Sequence, residues 1–478
     1  MRMRRERTGK SKATAPKVYE DKIMTAYRSG SIDEETKILL YLRLLFDTEH
    51  LSREYIPDAP IKSGTTIVEE IYNYIGKRNA RKDIVEEANR YLESAVPPLD
   101  RVYTSPGGFF TLHYTTKGTN AVPGSGSPNI EVPAYVKAAG EYFDRSKYVT
   151  CDLRGFKKPV LDYGKESYHV YIYDLKGKYG ITFPISFYNT GKYKPRVASG
   201  FISIDNNYSS AKGFKKSWED CLKVTAAHEF FHAVQNAYNA DADSWWKEAS
   251  ATWNEDEVYD SVNDYFQYLG NVFSAPDKPL ENSSYGGVVF AKYLSENYGG
   301  YSIIKSIWEC QAERFRNSIN AIDYAIRQSY SGENIGTLYG GYAACNFNPA
   351  QYYREGKLWQ QSVSIRDTHT AYPVAQRDGK LDHLASNYQL FKPFSQGSKS
   401  LKITVEGSKD VNWGIKVQKR RKIDGLCDEA KVRLDSSRQR AEILCDSFGD
   451  YYSEVCLIPA NLEKNLDGAV YKYSAVVE

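Results

Sequence analysis

Between residues 18 and 95 apolar positions recur at helical spacing, and the segments YEDKIMTAYRSG, EETKILLYLRLLFDTEHL, TTIVEEIYNYIG and KDIVEEANRYLESA each predict a helix. In the second, Ile38, Leu39, Tyr41, Leu42 and Leu45 form one stripe, and the prolines at 57 and 60 part it from the third. Pro97 and Pro98 close this zone. The pattern then becomes strand-like. GGFFTLHYTT, SYHVYIYDL, YGITFPISFY and ASGFISIDNNY are β-branched and aromatic runs bounded by Gly, Pro and Asn. An exposed loop, NAVPGSGSPN, and a short helix, VPAYVKAAGEYF, interrupt them. From 217 to 345 helical spacing returns in CLKVTAAHEFFHAVQNAY, WWKEASATWNEDEVY, VVFAKYLSENY, SIIKSIWECQAERF and AIDYAIRQSY. Between 375 and 478 the short runs NYQLFKPF, SLKITVEG, WGIKVQK, RAEILC, EVCLIPA and AVYKYSAVV predict a β-sandwich, with QKRRK (418–422) as a solvated turn.

Strands followed by a run of helices point to an α+β architecture. The expected organisation is a disordered basic tail (1–17), a helical N-terminal segment (18–98), a domain with a sheet lobe and a helical lobe (99–360) and a C-terminal β-sandwich (375–478). A length of 478 residues suits three folded units at roughly 150 residues each.

Charge narrows the function by exclusion. Sixty-three basic side chains against 60 acidic ones leave a net +3, which creates no chain-wide field for nucleic acid or an anionic membrane. No stretch approaches the ~20 apolar residues of a membrane span. The opening MRMRRERTGKSKATAP is charged but lacks the apolar core of a signal peptide. Seven cysteines, none in a CxxC pair, suggest no structural zinc knot. Cys427, Cys445 and Cys456 are close enough in sequence for one bridge in an oxidising compartment, if geometry allows it.

Histidine is scarce, with seven in the chain, yet two fall in one motif: His228-Glu229-Phe230-Phe231-His232. Histidines four apart on a helix point the same way, one turn above the other, so both reach a single metal ion. Glu229, on an adjoining face, is placed to act as general base toward a metal-bound water. At this histidine frequency the motif arises by chance in fewer than about one such chain in a hundred. Zinc takes three protein ligands and an open position. A third histidine in the HExxHxxGxxH pattern is excluded, because Gln235 and Tyr238 occupy those positions. Glu248 in WWKEASATW supplies the third ligand instead, once the loop at 239–244 reverses the chain. Glu255 is its rival on nearly the same helical face, and either carboxylate suits a role holding a histidine N–H. His113 reads as structural, and His50, His169, His369 and His383 show no partners.

HEFFH followed by WWKEASATW resembles the gluzincin metallopeptidases, although Ala249 stands where their pattern has Gly or Ser. In that resemblance Tyr285, before VVFAKYLSENYGG, matches the tyrosine that stabilises the oxyanion, and FISIDNNY (201–208) matches the sheet edge that receives an extended substrate. Thr252 stands where thermolysin-like members keep an Asp that orients a histidine. No GxMEN motif is present, so aminopeptidase specificity does not carry over. More narrowly, IDEETKILLYLRLLFD, FTLHYTTKGTNAV, AAHEFFHAVQ and a C-terminal β-sandwich follow the order of a family of secreted-type metalloproteases from bacteria and archaea. The resemblance implies a zincin-like domain, Zn2+ held by His228, His232 and Glu248, catalysis by Glu229 and Tyr285, a polypeptide substrate and an extracellular location. The C-terminal sandwich is expected to bind substrate or a surface, and the N-terminal segment to be a propeptide or a permanent lobe. An endopeptidase is the leading expectation. A zinc hydrolase of a non-peptide amide or ester, and an inactive binding or adhesion protein, are the alternatives.

Overall fold

The structure, a computed structural model, describes all residues except 1–20, 125–130, 316, 395–396, 398 and 438. The basic tail and residues 125–129 of the glycine-rich loop therefore lie outside the described residues. The fold is α+β with a sheet-rich C-terminal region.

The first part holds α1 (Lys22–Arg28), α2 (Glu34–Phe46), β1 (Ile61–Ser63), α3 (Thr65–Ile75) and α4 (Lys82–Glu93). Asp21 and Asp33 cap α1 and α2 by accepting from the backbone N–H three residues on. Leu42, Val68, Ile71 and Ala88 bury the inner faces of α2, α3 and α4 around Ile181 and Phe183, which belong to the next lobe. Strand β1 escapes a pattern-based reading because three residues are too few to show a period.

Next come β2 (Arg101–Thr104), β3 (Phe110–Tyr114), α5 (Ala134–Lys147), β4 (Tyr168–Tyr173), β5 (Lys178–Asn189) and β6 (Arg196–Asp205). With β1 they form one mixed sheet in the order β1-β5-β6-β4-β3-β2. Here the sequence reading is corrected: β6 is an interior strand, paired to β4 and to β5, and it offers no free edge for a substrate. The strand at that side is β5, antiparallel to β6, and its outer edge is taken by β1 running parallel to it.

The helical lobe contains α6 (Trp218–Asn236), α7 (Ser244–Val258), α8 (Leu269–Phe273), α9 (Val288–Asn297), α10 (Tyr301–Glu313), α11 (Ser318–Ser329), α12 (Ile335–Phe347) and α13 (Pro349–Tyr352). Helix α6 is buried on nearly every face from Val224 to Asn236, between β5, β6, α5 and α7. A helix apolar all round is a core helix, and here the polar side chains within that span are those of the motif, Thr225, Gln235 and Asn236.

The C-terminal strands are β7 (Asp367–His369), β8 (Val374–Leu381), β9 (Ala385–Ser386), β10 (Gln389–Phe391), β11 (Lys399–Gly407), β12 (Trp413–Arg421), β13 (Cys427–Val432), β14 (Arg440–Phe448), β15 (Tyr452–Asn461) and β16 (Ala469–Val477). β14 meets β15 only at Phe448 and Tyr452, so the sheet folds there into two layers. Leu401, Ile403, Val417, Leu457 and Tyr473 from both layers close on one core. Its other side packs on the helical lobe, with Ile458 and Ala460 joining that lobe's core. Most of QKRRK lies in β12 rather than in a turn, with Gln418 buried and Arg420 paired to Glu454 at 2.6 Å. No bridge forms among Cys427, Cys445 and Cys456, because all seven cysteines are free thiols.

Candidate metal centre

The two motif histidines converge as the helical spacing requires. Their Nε2 atoms lie 3.0 Å apart. Glu248 Oε2 stands 3.1 Å from His228 Nε2 and 3.7 Å from His232 Nε2. Two nitrogens each about 2.1 Å from one zinc stand roughly 3.4 Å apart in a tetrahedral site, so this spacing suits a shared ion. Glu248 Oε1 is buried without a hydrogen-bond partner, a further sign of a place made for a cation. The donor set of two imidazoles and one carboxylate is one that zinc accepts. The other acidic group of this kind, Asp256, Asp260 and Glu355, is already filled by Lys292, whose Nζ lies 2.7 Å from Asp256 and 3.1 Å from Glu355.

Each histidine is held from behind. His228 Nδ1 donates to Glu255 Oε1 at 2.6 Å, and His232 Nδ1 donates to Gln235 Oε1 at 2.8 Å. Gln235 is itself fixed, donating to the Lys247 carbonyl at 2.9 Å and to Ser250 Oγ at 3.1 Å. These bonds leave each Nε2 free to face a metal ion. Glu248 and Glu255 approach opposite nitrogens of His228, and it is Glu248 that stands beside both Nε2 atoms. Thr252 is buried with no partner for its hydroxyl and orients nothing. Asn254 Nδ2 donates to the Ala227 carbonyl at 3.1 Å, which locks α7 against α6 in this register. Burial opposes charge on His228, but hydrogen bonds and field from Glu248 and Glu255 overcome it and push its pKa up to about 9. Burial would raise Glu248, but the two imidazoles hold its carboxyl down at about 2.

Glu229 lies beside these ligands against the sheet. Its Oε2 accepts from Thr182 Oγ1 at 2.7 Å and from Thr65 Oγ1 at 2.9 Å, while Oε1 has no partner. The close approach needs Gly180, where an added Cβ would sit 2.6 Å from Glu229 Cγ. Tyr285 lies on the 3-10 segment Leu280–Gly287, with its ring centroid 6.1 Å from that of His228. The preceding Ser284 has φ 46° and ψ −127°, a strained conformation that turns the chain inward here. The Tyr285 hydroxyl meets the backbone of β1, 3.2 Å from Ser63 N and 3.3 Å from Ser63 O.

The whole centre is covered. His228 and Glu229 are 0% exposed, His232 1% and Glu248 3%. β1 and the start of α3 lie over Tyr285 and Glu229, while Glu248 borders a cavity of about 140 Å³ with Ile67, Trp245 and Ser284. Lys62 of β1 enters between α7 and the loop after it, where its Nζ lies 2.8 Å from Glu255 Oε2 and 2.7 Å from Asp264 Oδ2. Burial opposes that ammonium, yet Asp264 and Glu255 hold its pKa above the usual lysine range. Sequence reasoning missed Lys62, Thr65, Thr182, Gln235 and Asp264. Only Gln235 carried a local signal, one turn beyond His232.

The remaining histidines do have partners: His113 bonds His169 at 2.7 Å on the sheet, His50 bonds Asp47, His369 bonds Tyr473, and His383 bridges Glu281 and Asp467. No family model and no curated protein matches the chain. Solved structures with some likeness include the pre-peptidase C-terminal domain of collagenase from Bacillus anthracis, at 12% identity over 24% of this chain and 99% of that one, with a TM-score of 0.19. A family GH115 4-O-methyl-α-glucuronidase with specificity for decorated arabinogalactans matches at 9% identity over 54% of this chain and 39% of that one, with a TM-score of 0.15. At these scores neither likeness bears on the activity of this chain. No described helix is long and apolar enough to cross a membrane.

Proposed function

We propose that the protein is a zinc-dependent metallopeptidase acting as an endopeptidase. The observation that carries this reading is the meeting of His228, His232 and Glu248 within 4.8 Å, with the Glu229 carboxylate alongside. When bound, zinc lowers the pKa of a coordinated water toward neutrality and polarises a carbonyl. Glu229 would hold a proton at its carboxylate and pass it to the leaving amine. Thr182 holds one of its oxygens and leaves Oε1 for this traffic. Glu255 and Gln235 keep both imidazoles in the tautomer that presents Nε2. Tyr285 donates to the developing oxyanion.

A peptide is favoured over a smaller amide or ester by β1. A polypeptide strand already lies along the outer edge of β5 beside Glu229, and strand addition is how an extended peptide binds such an edge. The C-terminal strands would serve substrate or surface binding outside this centre, and a secreted location follows only from the resemblance.

The test measures zinc content for the wild type, Glu248→Ala and Glu229→Gln, and cleavage of a peptide library before and after limited proteolysis. One zinc per chain is expected in the wild type and Glu229→Gln, with cleavage lost by about 10²–10⁴-fold in the latter. Stoichiometric zinc with no Glu229-dependent cleavage in either condition sinks the peptidase reading.

A further inference from the structure

The N-terminal segment does more than cover the centre. Its backbone is hydrogen-bonded into the sheet, Ile61 N donating to Gly177 O and Gly64 N to Gly180 O, each at 3.0 Å. Within these few residues three separate parts of the proposed machinery are engaged. Ser63 N and O both meet the Tyr285 hydroxyl. The Thr65 hydroxyl is on Glu229. Lys62 is on Glu255, which holds His228. Four residues further along α3, Glu69 pairs at 2.7 Å with Lys247, the neighbour of Glu248. An extended backbone on an edge strand, a backbone amide at the oxyanion donor and a side chain in a closed pocket are the contacts a bound peptide makes.

The pocket around Lys62 has a definite chemistry. Glu255 and Asp264 are 2–3% exposed and share the single Lys62 ammonium, which is itself 1% exposed. The Tyr179 ring lies 4.8 Å from that ammonium and adds a cation-binding face. Two carboxylates buried this deeply are costly without a counter-charge. If Lys62 leaves, another cation must take its place. Asp264 and Tyr179 also border a surface cavity of about 390 Å³, together with Asn263 and Phe266, so solvent lies on the far side of the ion cluster.

We propose that residues 61–65 are a built-in occupant that keeps the peptide groove closed, and that the vacated groove takes an extended peptide whose Lys or Arg replaces Lys62 between Glu255 and Asp264. The proposal rests on reading the β5 edge as a peptide groove. It makes the chain in this conformation latent. Opening requires displacement of β1 and of the first turn of α3, and the connection between α3 and α4 around Lys77, Arg78 and Arg81 is exposed to whatever cuts or pulls it.

The full-length chain tests this without metal. At Gly64 an added Cβ would lie 2.8 Å from Ile181 Cγ1 and 3.1 Å from Leu45 Cδ2, so Gly64→Val presses the segment off β5 while touching no metal ligand. Acylation of His228 and His232 by diethylpyrocarbonate, read by mass spectrometry, should be at least about tenfold faster in Gly64→Val than in the wild type. A labelled synthetic peptide of residues 58–68 should bind Gly64→Val, and the same peptide with Lys62→Met should bind at least about tenfold more weakly. If Gly64→Val fails to fold, a site for a sequence-specific protease placed within residues 77–81 nicks the wild-type chain, and the same peptides are then offered in excess for exchange. Wild-type histidines as reactive as those of the variant, or exchange of neither peptide into the nicked chain, overturn the occupant. Equal binding of the two peptides overturns the basic pocket. A chain that binds its peptide yet cleaves nothing when zinc-loaded refutes the peptidase reading and leaves the groove standing.

Discussion

The hydroxyl of Thr65 donates to the carboxylate of Glu229 at 2.9 Å, although 164 residues separate them. Thr65 Oγ1 also accepts from the Thr182 backbone N–H at 2.8 Å and from Ser63 Oγ at 2.9 Å, so the contact is set by the sheet rather than by a loose side chain. The N-terminal segment is thereby part of the environment of the proposed general base. Its removal would change the centre as well as expose it.

The histidine supports should set metal affinity. Glu255→Leu and Gln235→Leu each take away the acceptor that orients an imidazole, and zinc affinity should fall by about 10–100-fold in either. Competition against a chromogenic chelator reads this. Unchanged affinity in both variants would mean that the histidines need no orienting partner.

Gly180 should be intolerant for a reason specific to catalysis. A Cβ there would meet Glu229 Cγ at 2.6 Å and push the carboxylate from its place, and none of its three nearest contacts belongs to His228, His232 or Glu248. Gly180→Ala should keep one zinc per chain and lose about 10²-fold in cleavage rate once the groove is open. Loss of zinc along with activity would show that the damage spreads to α6 as a whole.

The pH dependence of the metal-free chain follows from His228. Its pKa is raised from 6.5 to about 9, so the folded state binds this proton more tightly than the unfolded state does. The resulting stabilisation is complete below about pH 6.5 and is lost as pH rises through 9. In excess chelator the melting temperature should therefore fall between pH 7 and pH 10. Zinc must displace the same proton, so its affinity should climb over that window. A flat melting temperature together with pH-independent zinc affinity would contradict the charged imidazole.

Lys62 should matter to stability before it matters to chemistry. Lys62→Met leaves Glu255 and Asp264 buried and facing each other without the shared ammonium. Breaking a buried pair in this way costs about 3–5 kcal/mol, which urea denaturation of the wild type and variant will resolve. A loss below about 1 kcal/mol would place water, rather than a dry ion cluster, around that lysine.

The thiols offer a simple check on the C-terminal strands. Denatured without reductant, the chain should titrate seven free thiols, since none of the cysteines is bridged. A count of five would indicate a bridge.

What could be read from the sequence was local. His228 and His232 are four apart on one helix, and helical periodicity alone brings their rings together; the order of strands and helices likewise follows from hydrophobic period. Glu248 and Glu255 are seven apart, two turns of the same helix, so periodicity puts both on one face and cannot choose between them. Packing chose, because α7 lies against α6 in the register that Asn254 and Ala227 set. The strand β1 was invisible at three residues, and pairing on both sides of β6 leaves residues 201–205 inside the sheet, with β1 on the outer edge of β5. Lys62, Thr65, Thr182 and Asp264 entered the site for the same reason. Their partners are far off in the chain, and only burial in a common core, where charges and donors must find one another, brings them together.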